Sequence, residues 1–229
     1  MTIITTRLLR YLSIRNLASH SIDIYIRLVL QPIWRRQGVT LGGGISWLGR
    51  PILTLAPKST MSIGDDCLIC SRSEQTALGV NHPVVLRTLR PGAVLSLGRG
   101  VRMSGTTVCA AQHVVIGDRC VIGSNVTIAD TDFHSLDPQV RSSVDDLAGA
   151  GSRPVHIGND VFIGSGSYIL KGATVGDCAV IGAASVVTQA VEAGAIVAGN
   201  PARDVRGPSR ETRPQGETAA GGKQEVEST

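Results

Sequence analysis

The sequence predicts an all-β chain wound as a parallel β-solenoid of six-residue repeats, behind an N-terminal helical segment. Three observations predict it. Hydrophobic residues make up 42% of the chain but aromatics only 3%, and there are 27 glycines. Val, Ile, Leu and Ala must therefore fill the interior, which suits a thin repetitive stack better than a core centred on aromatic clusters. From Ile157 the aliphatic recurs at 163, 169, 175, 181 and 187 without a break, and the same step joins Leu97, Met103 and Cys109, then Ile116, Ile122 and Ile128. Many of these aliphatics are followed by a small residue, as in Ile63-Gly64, Leu97-Gly98, Ile116-Gly117, Ile157-Gly158 and Val175-Gly176.

Six is neither a helical nor a hairpin period: an amphipathic helix repeats near 3.6 residues, and a two-sided strand alternates for longer. One inward aliphatic per six residues fits a short strand followed by a tight corner, with glycine easing the backbone angles of the turn. Three such sides close a coil, and stacked coils place aliphatic over aliphatic.

Ahead of the repeat, residues 3–36 read mostly as helix with Pro32 near its end. Arg7, Arg10, Arg15, Arg27, Arg35 and Arg36 face a single acid, Asp23. Two readings stay open for residues 1–40: a cap over the open end of the stack, or an interfacial helix on anionic lipid. No uncharged run approaches the roughly 18–20 residues that span a bilayer, and no signal-peptide pattern is present. The solenoid is expected over 41–206. Residues 207–229 hold one valine as their only large apolar residue, so they are expected to form a disordered tail.

Charge and thiols narrow the classes further. A net charge of +4 and a pI near 9.0 describe an ordinary surface, compatible with a phosphorylated cofactor or a lipid headgroup; no nucleic-acid partner is expected. Cys67, Cys70, Cys109, Cys120 and Cys178 are too few for a disulfide scaffold in a chain this long. Cys67 and Cys70 have the gap of a zinc or redox pair, but no second pair follows and Cys67 occupies a small-residue slot of the repeat. Packing is the expected role, no metal is expected, and unpaired thiols fit a cytoplasmic location.

The repeat breaks once in a way that points to chemistry. Ile128 and Ile157 stand 29 positions apart, one short of five hexads. Segment 135–154 keeps no aliphatic phase and reads as a loop expelled from a corner, a common place for function. His134 in "VTIADTDFHSLD" lies where the chain leaves the coil. A neutral imidazole, with an ordinary pKa of about 6.5, can take a proton from an attacking alcohol at neutral pH. Its second nitrogen then needs an anchor, and Asp130, Asp132 and a loop carbonyl all remain candidates. His113 and His156 stand just before hexads and are expected to face solvent; His20 belongs to the N-terminal segment. Asn81 and His82, in the phase break 77–89, either edge an acceptor site or form a turn closed by Pro83.

These hexads, and the run "IGNDVFIGSGSYILKGATVGDCAVIGAASVVTQAVEAGAIVAGNPARDVR", resemble the hexapeptide-repeat acyltransferases, in particular the maltose/galactoside and exopolysaccharide O-acetyltransferases, over about residues 61–206. The resemblance implies a left-handed parallel β-helix, although the general rule for parallel crossovers favours the right hand. It implies His134 as general base, preceded by Asn125-Val126-Thr127. It also implies acetyl-coenzyme A as co-substrate, lying between subunits of a homotrimer against Ser165, Ala183, Thr188, Arg203 and Arg206. Gln189 stands where many relatives carry lysine, Phe162 replaces a tryptophan, and 104–112 lacks the usual asparagine and aspartate, so the acceptor is expected to be bound differently. The expected activity is O-acetylation of a saccharide in exopolysaccharide or cell-envelope glycan synthesis, with contact to the inner face of the plasma membrane left open. N-acetylation of an amino sugar and a non-catalytic scaffold are the alternatives. A γ-type carbonic anhydrase needs three converging histidines, and His113, His134 and His156 are too evenly spread.

Overall fold

The computed structural model describes residues 22–144 and 146–206. The helix reading of 3–21, with Arg7, Arg10, Arg15 and His20, and the expected tail at 207–229 lie outside the described residues. The chain is a left-handed parallel β-helix with three faces. The first face stacks Val39–Leu41, Thr60–Ile63, Val94–Leu97, His113–Ile116, Val155–Ile157 and Thr174–Val175. The second stacks Ser46–Leu48, Leu68–Cys70, Arg102–Ser104, Val121–Ile122, Phe162–Ile163, Val180–Ile181 and Ile196–Ala198, and closes on the antiparallel strand Arg203–Asp204. The third stacks Ile52–Thr54, Val85–Thr88, Thr107–Ala110, Thr127–Ala129, Tyr168–Ile169 and Val186–Val187.

The parallel register turns the sequence period into columns. Ile63, Leu97, Ile116, Ile157 and Val175 lie over one another on the first face. Ile69, Met103, Ile122, Ile163 and Ile181 do so on the second. All are buried, so each rung removes apolar surface from water against both neighbours. On the third face the column is Leu86, Val108, Ile128 and Ile169. Val108, not Cys109, holds the inward slot; Cys109 pairs with Ala129 one place further on. The corner at Ser104-Gly105 is one residue shorter than the corner below it at Gly123–Asn125, so the six-step through Cys109 is off by one.

The small residues after the aliphatics act through space rather than through backbone angle. Gly64, Gly98, Gly117 and Gly158 are not among the residues with positive φ. A Cβ on Gly117 would lie 2.6 Å from the Gly158 carbonyl oxygen, and one on Gly64 would lie 2.6 Å from Gly98 carbonyl carbon. Coil spacing therefore demands glycine there. The left-handed angles fall two residues later, at Asp66, Arg119, Asp160 and Cys178, with φ of 56–59°.

At the N-terminal end a π-helical turn, Ile26–Leu30, runs into α1 (Gln31–Arg36). The extra residue in that turn lies just ahead of Pro32, whose ring and missing N–H disrupt a regular helix. Ile26, Leu30 and Trp34 are buried on the core, and the Trp34 ring lies 5.4 Å from Trp47 of the first coil. Ile24, Tyr25, Leu28, Val29 and Ile33 are exposed on the other side.

Two excursions leave the coils at different corners. Residues 71–84 leave between the second and third faces, pinned by Val84 N–H to Ser71 Oγ (3.0 Å) and by mutual bonds of Ser73 and Val80. Residues 130–154 leave between the third and first faces. Its neck is paired by a Thr131–Ser152 bridge, Asp132 N–H to Gly151 O (2.9 Å) and Arg153 N–H to Asp130 O (2.9 Å). It carries two short helices, α2 (Pro138–Arg141) and α3 (Asp146–Gly149).

Candidate active site

The long loop folds on local polar signals rather than on a core. Leu136, Val144 and Leu147 are exposed. Asp137 caps α2 by accepting from Gln139 N–H (2.8 Å), and Pro138 supplies a first helical residue with no N–H to satisfy. Arg141 donates back to Ser135 O at 2.9 Å. This closed turn sets His134 opposite the first residue of α3.

There, Asp146 Oδ2 lies 2.5 Å from His134 Nδ1, and Asp146 Oδ1 accepts from Ser135 N–H at 2.7 Å. An ionised carboxylate can only accept, so a neutral ring in this contact carries its proton on Nδ1 and leaves the Nε2 lone pair free. The His134 side chain is 70% exposed while Asp146 is 19% exposed: the carboxylate is shielded and the ring is not. The His134 contact, and after it the Ser135 N–H, hold the Asp146 carboxyl below the usual carboxylate range. Phe133, next to the ring, has φ of 65°, a left-handed conformation that a bulky side chain adopts only under constraint.

The anchors considered from sequence are placed elsewhere. Asp130 is fully buried, and its carboxylate accepts from the N–H groups of Ala111 (2.6 Å), Gln112 (2.7 Å) and His113 (2.7 Å). It ties one coil to the next and does not touch the ring. Asp132 pairs with Lys171, a residue of the coil that follows the loop. Asn125 takes φ of 60° and accepts from Asn81 N–H at 2.8 Å, so its side chain supports the 71–84 excursion. His82 Nδ1 lies 2.7 Å from Pro83 O on an exposed turn. Asn81, His82 and Asn125 thus gather at the corner between faces two and three, and His134 leaves from the corner between faces three and one. A strand of a few residues, roughly 10 Å, separates those corners within one chain. Asp146 was missed from the sequence. Its only signal is an acid at the head of a short helical stretch in the loop, and Asp145 beside it carries the same signal.

The residues matched to the coenzyme fall into two groups. Ser165 and Ala183 sit on adjacent coils at the corner between faces two and three, joined by Ala184 N–H to Ser165 O (2.9 Å). Thr188, Arg203 and Arg206 line a cleft of about 240 Å³ at the end of the stack, with Gln189 and Ala202. Arg203 donates to Ala202 O (2.9 Å), which leaves other guanidinium N–H groups open to a phosphate among the described residues. Arg206 is engaged by Asp204 (3.1 Å) and Gly194 O (3.0 Å), so its charge is already partly matched.

Cys67, Cys70, Cys109 and Cys120 are buried, and burial pushes the Cys120 thiol up to about 11. His113 and His156 meet edge to face at 5.3 Å, and among the described residues no group of three or more His, Cys, Asp or Glu is placed to hold a metal ion. No helix among them is long and apolar enough to cross a membrane.

Residues 154–189 match the family described as bacterial transferase hexapeptide (six repeats), and residues 113–129 match the hexapeptide repeat of succinyl-transferase. Galactoside O-acetyltransferase of Escherichia coli is 35% identical over 116 residues, which is 50% of this chain and 55% of that protein. A chloramphenicol acetyltransferase of Agrobacterium fabrum is 40% identical over 111 residues, 42% of this chain and 52% of its own length. The chain therefore spans about half the length of the curated relatives it matches. Among solved structures, an N-acyltransferase from Bacillus cereus, crystallised with dTDP-4-amino-4,6-dideoxyglucose and coenzyme A, superposes with a TM-score of 0.56 at 19% identity, covering 76% of this chain and 87% of that one. That likeness is one of fold.

Proposed function

Starting from a chain that carries the hexapeptide repeats of the bacterial transferases, we propose that it is an acetyl-coenzyme A-dependent O-acetyltransferase acting on a saccharide, with His134 as general base. The observation that carries the proposal is the His134–Asp146 pair, which presents one bare imidazole nitrogen at an exposed position. The acceptor hydroxyl hydrogen-bonds to Nε2 and attacks the thioester carbonyl carbon. As the new C–O bond forms, the proton passes to the ring, and the Asp146 carboxylate stabilises the resulting cation. Collapse of the tetrahedral species breaks the C–S bond, and the ring returns the proton to the coenzyme thiolate. Thr188 and Arg203 are suited to the coenzyme's polar and phosphate groups.

The corner geometry supports a homotrimer. One chain sets His134 at one corner and Ser165, Ala183, Asn81 and His82 at another, so a neighbour's second corner packed against the loop would unite the two groups. A cytoplasmic location fits the free thiols. The exposed Ile24, Leu28 and Ile33 beside Arg35 and Arg36 support peripheral contact with anionic lipid at the inner membrane face, and so an acceptor from exopolysaccharide or envelope glycan assembly.

The test is thioester consumption from acetyl-coenzyme A across a panel of free, lipid-linked and nucleotide-linked sugars, with amino sugars included to detect N-transfer. His134→Ala is expected to slow transfer by about 10²–10⁴-fold while coenzyme binding, measured by calorimetry, is retained. Wild-type turnover in that variant removes His134 from the mechanism. Absence of coenzyme binding in the wild type favours the scaffold reading.

A further inference from the structure

We propose that Arg90, far from His134 in sequence, is a positioning residue for the catalytic pair; the proposal rests on the acetyl-transfer reading above. Arg90 lies on the corner between the third and first faces, one coil before Ala111-Gln112 and two before the point where the long loop leaves. Its guanidinium reaches into that loop. Nη2 donates to Leu147 O (2.6 Å) and Ala150 O (2.7 Å), and Nη1 donates to Ser152 Oγ (3.1 Å).

Two of those acceptors belong to α3 and its end. Leu147 follows Asp146 directly, and a four-residue helix leaves its carbonyls without helical partners. Arg90 satisfies them with charge-assisted bonds, which are about twice as strong as neutral ones. Gln112 Nε2 adds a bond to the same Ser152 Oγ at 2.8 Å. The loop has little apolar anchorage besides buried Ala150, so these polar clamps hold α3 in place. A chain of contacts then runs from the rigid coil through Arg90 and α3 to Asp146, and from Asp146 to Nδ1 of the ring. A solvated surface arginine is a poor description of this group, because its Nε is buried without a partner.

The function of the clamp is to fix the angle at which the Asp146 carboxylate meets the imidazole, and so the tautomer. Loss of a fraction of an ångström there leaves fold and coenzyme site intact but unpins Nδ1–H.

The test is a double-mutant cycle between Arg90→Ala and Asp146→Asn, read with nitrogen NMR of the His134 ring in the unliganded protein. The expected result for Arg90→Ala is a kcat lowered by about 10-fold or more, an unchanged KM for acetyl-coenzyme A, and a ring shifted from a single Nδ1–H tautomer to a mixture. In the Asp146→Asn background the same substitution should have little further effect on kcat. Arg90→Lys keeps the charge but cannot span three acceptors, and it should fail to restore the rate; it also serves if the alanine variant does not fold. Ser152→Ala, which removes one contact, should give a smaller loss in the same direction. Full additivity of the two losses, or a wild-type ring spectrum in Arg90→Ala and Arg90→Lys, overturns the proposal. A wild type that consumes no acetyl-coenzyme A sinks the activity reading alone, because the ring spectrum reports the clamp independently of turnover.

Discussion

Asp146 Oδ2 sits 2.5 Å from His134 Nδ1 across a turn closed by the Ser135 N–H on the other carboxylate oxygen. An irregular loop thereby brings together two residues twelve positions apart in sequence. The loop has few apolar contacts, so this carboxylate is the centre of its local order and, on the proposed mechanism, the determinant of the base's tautomer.

Replacing Asp146 by Asn keeps the size of the side chain but lets an amide N–H face Nδ1. The ring is then driven to the other tautomer, with its proton on Nε2. We expect kcat to fall on the order of 10²-fold or more, with coenzyme affinity preserved. Equal kcat in wild type and variant, measured with saturating acetyl-coenzyme A, would refute the anchoring role.

The same carboxylate sets an acid limit. Its pKa is depressed in the folded state by His134 first and Ser135 second, so its contribution to loop order is fully present above its ordinary value of 3.8 and is lost as pH falls through the lower folded value. The Asp146 carboxyl carbon resonance should therefore titrate with its midpoint below the ordinary carboxylate range. A midpoint above that range would contradict the observed contact. In Asp146→Asn the transition should vanish.

Asp130 offers the contrast of a carboxylate with structural work alone. It accepts three backbone N–H bonds on the adjacent coil from a fully buried position. Asp130→Ala strands those donors and should destabilise the protein by about 3 kcal/mol, lowering Tm by roughly 6–12 °C. Any activity retained below the new Tm should have a near-normal kcat, measurable at low temperature. A normal Tm with lost activity would instead return Asp130 to the active site.

The contrast explains how far the sequence could be read. The columns of Ile116, Ile157 and Val175, or of Ile122, Ile163 and Ile181, follow from a period, because a coil repeats the same contacts at each turn. The corner at Gly105 broke that period by one residue, since a shortened turn leaves no mark beyond a small residue where small residues are common. His134 was legible because it follows the last regular hexad before the break. Its partner was not. Asp130 and Asp132 are nearer in sequence, and only the path of the loop through α2 and α3 decides that Asp146 meets the ring. Arg90 is more remote still, joined to the loop by the stacking of coils rather than by any motif.

Thiol chemistry gives a check on the coils that needs no substrate. Cys67, Cys70, Cys109 and Cys120 are buried, desolvation raises the thiols of Cys67, Cys109 and Cys120, and Cys178 is exposed. Because the thiolate is the reactive form, a native protein treated with a disulfide reagent should titrate one fast thiol, and five after denaturation. Cys178→Ser should abolish the fast phase. Fast reaction of Cys67 and Cys70 together would mean that the second coil opens.

Close backbone approaches between successive coils make a stability prediction. Gly117 has no room for a methyl group: an added Cβ lies 2.6 Å from Gly158 O and 2.7 Å from Gly158 carbonyl carbon, both main-chain atoms of the next coil. Relief requires two hydrogen-bonded coils to move apart, which strains the ladder on every face. Gly92 has φ of +79° and nothing within 4 Å of its Cβ position, so alanine there meets only left-handed backbone strain, about 1 kcal/mol. Gly117→Ala should destabilise by about 3 kcal/mol or more, clearly exceeding Gly92→Ala when both are unfolded in urea. If Gly92→Ala proved the more damaging, coil spacing would not be what requires glycine after the aliphatic of the first face, and the stacking described here would need to be redrawn.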